Sequence, residues 1–282
     1  MTTLTDTVST DLTGEAIADL AVAALRAEAD LTPKPGLVDL RGPGAHADMD
    51  RDLLIASAEA LRPAFVGCAS AAADLPLGQS LRARIGRIGR IGERDMLVAT
   101  AGVNTHRGAL WALGLLSAAT GAGHRDHRTI AEYAGELARI PDPDATAAFR
   151  SHGALARVRH GSAGATGEAQ SGFPHVRRGA LPALWAARAG GADEASARLD
   201  ALLALMAQLE DTCVLHRGGA AGLRALQLGA RSVLDVGGCR TAAGRSRLSD
   251  LDDLCATRRL SPGGSGDLLA AALFLDAVEQ RT

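Results

Sequence analysis

The chain has 282 residues, is 47% hydrophobic and 22% charged, and carries a formal net charge of -2. That length can bury a substantial core in one large domain or two small ones, and near-neutrality argues against a broad nucleic-acid surface, which needs an excess of basic side chains. The N-terminal MTTLTDTVSTDLTGEAIADL lacks a basic leader and a continuous apolar stretch, and nowhere do about 18 apolar residues run uninterrupted, so neither a signal peptide nor a membrane span is expected and the protein reads as cytoplasmic.

Aromatic residues make up only 2% of the chain, and alanine and leucine dominate, which disfavours sheets and makes helix the default. The expectation is all-α: a single globular multi-helix domain over 13–282, with glycine-rich loops at its helix joints, behind a flexible N-terminus at 1–12. The first helix is predicted over 14–29, where Ile17, Leu20, Ala24 and Leu25 recur at helical spacing behind Thr13 as N-cap. It stops at LTPKPGLVDL, which holds the only lysine, Lys34, in a chain whose other basic residues are all arginine. Pro33 and Pro35 make that segment stiff and non-helical. A compact ammonium suits a phosphate cluster or proton transfer differently from a flat guanidinium, so Lys34 reads either as a site residue or as a chance lysine in a rigid turn.

Next comes GPGAHADMD, with His46, Asp48 and Asp50 at alternating spacing. They suit a metal or a base, although Asp48 or Asp50 can equally cap the helix that follows at 49–65. RARIGRIGRIGERD repeats a three-residue unit in which glycine weakens any helix. GVNTHRGA then sets Asn104, Thr105, His106 and Arg107 at the entry of a helix over 108–120, a natural anion site, with an Asn104 or Thr105 cap as the plainer reading. A helix over 128–140 precedes the least patterned region, 141–174, which reads as a mobile flap and ends in GATGEAQSGFPHV, where Glu168 is a candidate base or metal ligand.

After a helix over 197–211, DTCVLHRGG repeats the His-Arg-Gly triplet as His216, Arg217 and Gly218, five residues beyond Asp211 and ahead of a helix over 220–234. Recurring arginines beside glycine point to polyphosphate, which a guanidinium grips at two points. LSPGGSGDLLAA offers Gly263, Gly264, Ser265 and Gly266 before a helix beginning near Asp267. It is an anion loop without the Gly-Lys-Ser/Thr ending of a Walker A motif. Cys68, Cys213, Cys239 and Cys255 are far apart and form no CxxC pair, so free thiols are expected.

Taken in order, TPKPGLVD, GAHADMD, GVNTHRGA, EAQSGFP, DTCVLHRGG and LSPGGSGDLLA resemble the triphosphoribosyl-dephospho-CoA synthases, over about residues 15 to 276. The sequence departs from that pattern at Cys213, where asparagine is expected, and at Gly266, where alanine is commoner. The resemblance implies an all-helical enzyme that joins ATP to the 2′-hydroxyl of 3′-dephospho-CoA with release of adenine. The product is the precursor of the prosthetic group on the acyl carrier subunit of malonate decarboxylase or citrate lyase, and the arginine-rich, freestanding chain leans towards the malonate branch. It would pass to a phosphoribosyl-dephospho-CoA transferase and the carrier protein, and a homodimer is left open.

On this resemblance, Lys34, Arg107, Arg217 and Gly263 to Gly266 would hold the triphosphate with Mg2+ on Asp39 and Asp48. Glu168 or Asp211 would be the base, with His106 or His216 near the leaving adenine or the phosphates. His46, Asn104, Thr105, Ser265 and Asp267 complete the expected substrate contacts. The competing readings are another ATP user, such as a kinase or nucleotidyltransferase, and a non-catalytic module that senses nucleotide while docked on a carrier protein.

Overall fold

A computed structural model describes residues 12–144 and 162–281. Almost all of the N-terminal stretch 1–12, and the middle of the expected flap, lie outside the described residues. Those described form α-helices with no strand among them, as the composition led us to expect.

Helix α1 (Gly14–Asp30) starts where Thr13 Oγ1 accepts the Ala16 N–H at 3.2 Å and buries Ile17, Ala21, Ala24 and Leu25. Asp50, not Asp48, caps α2 (Arg51–Asp74), taking the Leu53 N–H at 2.9 Å. By length and composition α2 could cross a membrane, yet Leu61, Phe65 and Cys68 are sunk in the core and the helix packs against α1, α3 (Gln79–Ala99) and α4 (Arg107–Gly121). The glycine repeat that should weaken a helix instead lies inside a continuous α3, because burial of Leu81, Ile85 and Met96 outweighs the local propensity.

Then follow α5 (His127–Arg139), α6 (Gly164–Gln170), a π-helical turn (Val176–Ala180) leading into α7 (Leu181–Ala189), and α8 (Glu194–Met206). The chain ends with α9 (Thr212–Asp235), α10 (Ala242–Arg258) and α11 (Gly263–Glu279).

Helices α4 and α11 form the axis. From Ala109 to Thr120 every residue of α4 but Trp111 is buried, and α11 is buried without a break from Leu268 to Leu275, the signature of helices surrounded by protein. They contact each other, α1 lies against both, and α8 backs α11. Two starts differ from the sequence reading. The segment read as a joint at HRGGAAG belongs to α9, which begins at Thr212 and only kinks at Gly219 (φ 59°, ψ -166°). The glycines read as a loop before Asp267 are the first turn of α11, which begins at Gly263. Both shifts have one cause: Asp211 caps α9 and also grips α11, so the hydrogen-bonded starts override the glycines' weak propensity.

Candidate active site

The first turns of α4, α9 and α11 converge on the end of α1 and on the strap 31–50 that joins α1 to α2, enclosing with α6 a cavity of about 490 Å³. That is within the usual range for small-molecule sites. The strap contributes Lys34, His46 and Asp48 to its wall, and the start of α4 contributes Asn104, Thr105, His106 and Arg107. Glu168 comes from α6; Asp211, His216 and Arg217 come from α9 and its cap; Gly263, Gly264 and Asp267 come from α11. Asp39 and Ser265 are not on the wall.

Lys34 is 1% exposed, and its Nζ donates to the Glu28 backbone oxygen at 2.5 Å and to Glu28 Oε1 at 2.7 Å. This explains the lone lysine locally: a compact ammonium fits a closed spot where a guanidinium fork would not. Two of its three donors are committed before any ligand arrives. Close by, the Asp267 carboxylate accepts the Ala109 N–H at the head of α4. Burial first, then the charges of Glu28 and Asp211, push its pKa well above the carboxylate range.

His106 is buried, with Nδ1 2.8 Å from Ser57 Oγ, and Thr105 Oγ1 donates to that same hydroxyl at 2.6 Å. Burial, with the Lys34 charge beside it, lowers its pKa to about 4, so it is neutral at pH 7. Among the described residues its buried Nε2 has no hydrogen-bond partner. Asn104 Oδ1 accepts the Arg107 N–H at 3.3 Å, and the Arg107 guanidinium pairs with Glu93.

Asp211 is buried and accepts four hydrogen bonds, from the backbone of Cys213 and Val214 and from both the N–H and hydroxyl of Ser265. It therefore stitches the start of α11 to the start of α9, and Ser265 is turned inwards to it, away from the cavity. Burial outweighs these bonds and raises the Asp211 pKa.

Glu168, also buried, meets His175 twice: Oε1 takes its N–H at 2.9 Å and Oε2 lies 2.6 Å from Nδ1. That pairing raises the His175 pKa. A left-handed Phe173 (φ 54°), 1% exposed, turns the chain back between the two partners, a local strain tolerated because the ring is locked in the core.

In the strap, Asp39 points away from the cavity. Its carboxylate takes the Lys34 and Arg41 N–H groups and the Arg41 guanidinium, which reaches on to Asp252. His46 spans from the strap to α11: Arg217 Nη2 donates to Nδ1 at 3.3 Å, which leaves the proton on Nε2 for Ser261 Oγ at 2.7 Å. Arg217 also donates to the Ala45 oxygen at 3.0 Å. Asp48 stays at the rim, 3.6 Å from His46.

Several wall or supporting residues escaped the sequence reading. Glu28 had a signal: it falls at helical spacing after Ile17, Ala21 and Ala24, a carboxylate on an otherwise apolar face. Ser57, Trp111, His175 and Ser261 carried none beyond ordinary composition. Among the described residues, six carboxylates border the cavity (Glu28, Asp48, Glu168, Glu210, Asp211 and Asp267) against three permanent cations (Lys34, Arg107 and Arg217). The positive ends of α4, α9 and α11 partly offset this excess. Such a wall suits a polyanion that brings a cation with it, and it provides buried carboxylates for proton transfer.

The family profile of the ATP:dephospho-CoA triphosphoribosyl transferases matches residues 14–282. The chain belongs to that family. It is 55% identical over 267 residues to a protein of Stutzerimonas stutzeri (strain A1501) named "Probable 2-(5''-triphosphoribosyl)-3'-dephosphocoenzyme-A synthase", covering 93% of this chain and 91% of the relative. Relatives of the same name in Azotobacter vinelandii (strain DJ) and Pseudomonas aeruginosa (strain UCBPP-PA14) are 53% and 52% identical, over 94% and 97% of this chain and 92% and 94% of theirs. No solved structure matches. The family makes the chain an enzyme of pentosyl transfer, and its all-helical fold accords with the resemblance read from the motifs.

Proposed function

We propose that the protein transfers the 5-triphosphoribosyl group of ATP to the 2′-hydroxyl of 3′-dephospho-CoA, releasing adenine, as a cytoplasmic step that supplies the prosthetic group of malonate decarboxylase. The observation that carries this reading is convergence: residues from five motif joints far apart in sequence, together with Lys34, border one cavity at three helix starts. The triphosphate must be kept intact while the bond from ribose C1 to adenine breaks. At the starts of α4 and α11 the N–H groups of Arg107, Ala109 and Ser265 are taken by Asn104, Asp267 and Asp211, so those of Gly108 and Gly263, with Arg217, suit the triphosphate end.

Magnesium fits as a companion of the nucleotide. Among the described residues no three histidine, cysteine or acidic side chains gather as a ready cation cage. A Mg2+ bound by one or two carboxylates takes most of its ligands from phosphate and water. Of the two carboxylates expected to hold it, Asp48 stands on the wall at the rim, whereas Asp39 is off the wall and spent on Arg41. Bound there, the ion would neutralise phosphate charge.

For the proton of the attacking hydroxyl we assign Glu168, buried and oriented by His175, over Asp211, whose oxygens are already engaged. The product would pass to a phosphoribosyl-dephospho-CoA transferase and the carrier protein.

The test is incubation with ATP, Mg2+ and 3′-dephospho-CoA followed by mass spectrometry. Free adenine and the triphosphoribosyl adduct are expected together, whereas ADP or pyrophosphate would overturn the reaction. Glu168→Ala should lower turnover at least about 100-fold with ATP binding retained, and normal turnover would remove Glu168 from the mechanism.

A further inference from the structure

Both substrates of the proposed reaction carry an adenine, and the motifs account for phosphates and protons but not for a base. Among the described residues Trp111 is the only Phe, Tyr or Trp on the cavity wall. It is also the one residue between Ala109 and Thr120 of α4 that is not buried. Its ring is fixed on two sides. The indole N–H donates to the Ala165 oxygen at 3.2 Å, tying α4 to the first turn of α6. The Arg82 guanidinium stands over the ring with its carbon 5.4 Å from the centroid, within cation–π range.

Arg82 is itself 7% exposed and held by the Ile140 oxygen at 3.1 Å, so the platform is rigid. On the same stretches of α4 and α6 the wall also includes the small residues Ala109, Ala112, Gly164 and Ala165. Trp111 lies one turn beyond Arg107 on α4, and Ala165 one turn before Glu168 on α6, so the platform lies beside both the phosphate-side and the proton-accepting residues.

We infer that Trp111 is the stacking platform for the adenine of a nucleotide substrate, with Arg82 as its positioning residue. An aromatic face supplies binding to a purine at little entropic cost, and stacking of one base is worth enough to change affinity severalfold or more. This rests on the reading that the cavity takes ATP and dephospho-CoA, whose two adenines the titrations below distinguish.

The first arm uses fluorescence. The chain has two tryptophans. The other, Trp185, is off the wall, packed edge-on to His127 and bonded to Asp276. In a Trp185→Phe background all indole emission comes from Trp111, and titration with ATP and with 3′-dephospho-CoA, separately, identifies the source of the base. Saturable quenching by one of them is expected, and none by inorganic tripolyphosphate, which has no ring.

The second arm is kinetic. Trp111→Leu should raise KM for the quenching substrate about tenfold with kcat within about threefold, and Trp111→Phe should restore most of the loss. A merely structural tryptophan would lower stability and kcat without this split or rescue. Adduct formation by the Trp185→Phe protein with no quenching by either substrate overturns the platform while leaving the reaction standing. Quenching by ATP or dephospho-CoA without any adduct keeps the platform and removes the reaction. Unchanged KM values for both substrates in Trp111→Leu would also sink it, whereas a Trp111→Leu protein that fails to fold leaves the decision to the fluorescence arm.

Discussion

The triplet His-Arg-Gly occurs at two edges of the same cavity and does two different jobs. At the head of α4, His106 is sealed from water against Ser57, Arg107 pairs with Glu93, and Gly108 faces a carboxylate: a Cβ there would come within 2.1 Å of Asp267 Oδ2. In α9, His216 and Arg217 are exposed, Arg217 ties down the strap through Ala45 and His46, and a Cβ on Gly218 would meet only the Leu260 side chain, at 2.4 Å. One triplet is built into the floor and the other stands at the rim. Identical residues acquire their chemistry from what the fold places opposite them.

The strongest test of floor against rim exchanges the cation beside each histidine for methionine. Lys34→Met leaves the Glu28 carboxylate buried and unpaired, which should cost about 3–5 kcal/mol of unfolding free energy. Glu28→Met added to it should recover most of that, since an apolar pair can replace a buried ion pair. Arg217→Met removes two hydrogen bonds from an exposed side chain and should cost about 1 kcal/mol. Urea titrations of the four proteins measure all of these, and a Lys34→Met loss no larger than that of Arg217→Met would erase the distinction.

The floor is also where the sequence was least legible. Helix periodicity and caps were readable: Thr13 does cap α1, and the apolar spacing of α1, α2 and α5 marks their cores. The glycine-rich joints were readable as places of chemistry, since backbone N–H groups and polar side chains there have few other uses.

Which carboxylate faces the cavity was not readable, because that depends on partners distant in sequence. Asp39 looks as available as Asp48 until Arg41 and Asp252 are seen around it. Glu28 is hidden inside a helix, and its role exists only because the strap returns Lys34 to it six residues later. The starts of α9 and α11 were misplaced for a related reason: glycine lowers helix propensity locally, while the Asp211 carboxylate that caps α9 also fixes the start of α11 through bonds to a residue 54 positions away.

A pH titration sharpens the contrast next. His106 has its pKa lowered to about 4 from 6.5 by burial and by Lys34. Above pH 6.5 the ring is neutral folded and unfolded, and its contribution to stability is fully present. Between pH 6.5 and 4 the unfolded chain takes up a proton that the folded one refuses, so stability falls with pH and levels off below 4. The total is about 3 kcal/mol. His46, lowered by burial and by Arg217, acts in the same direction, and His175, raised by Glu168, acts in the opposite one, losing its contribution as pH rises through the folded pKa. The informative quantity is therefore the difference between wild type and His106→Gln, measured by urea unfolding at pH 7.0, 5.5 and 4.5 (the chosen test conditions, spanning roughly the window set by linkage). A difference that does not change across those three values would mean that the ring is hydrated and the floor is not sealed.

The smallest comparison, in free energy, uses one methyl group at each glycine. Gly108→Ala drives Asp267 off its present position, because the clash is with the carboxylate itself, on a helix buried on all sides. A shift of about 1 Å in a group that meets substrate costs about 100-fold in rate, so kcat should fall by that order while the protein remains folded. Gly218→Ala presses on a terminal methyl of Leu260, which has rotamers to move through. It should cost about 1–3 kcal/mol of stability at most and leave kcat within about threefold. If the two variants lose activity equally, the floor carboxylate is not poised for chemistry and the cavity responds to packing alone. If only Gly108→Ala does, the loss localises the reaction to the side of the cavity where α4 meets α11, since Gly108 is on the wall and Gly218 is not.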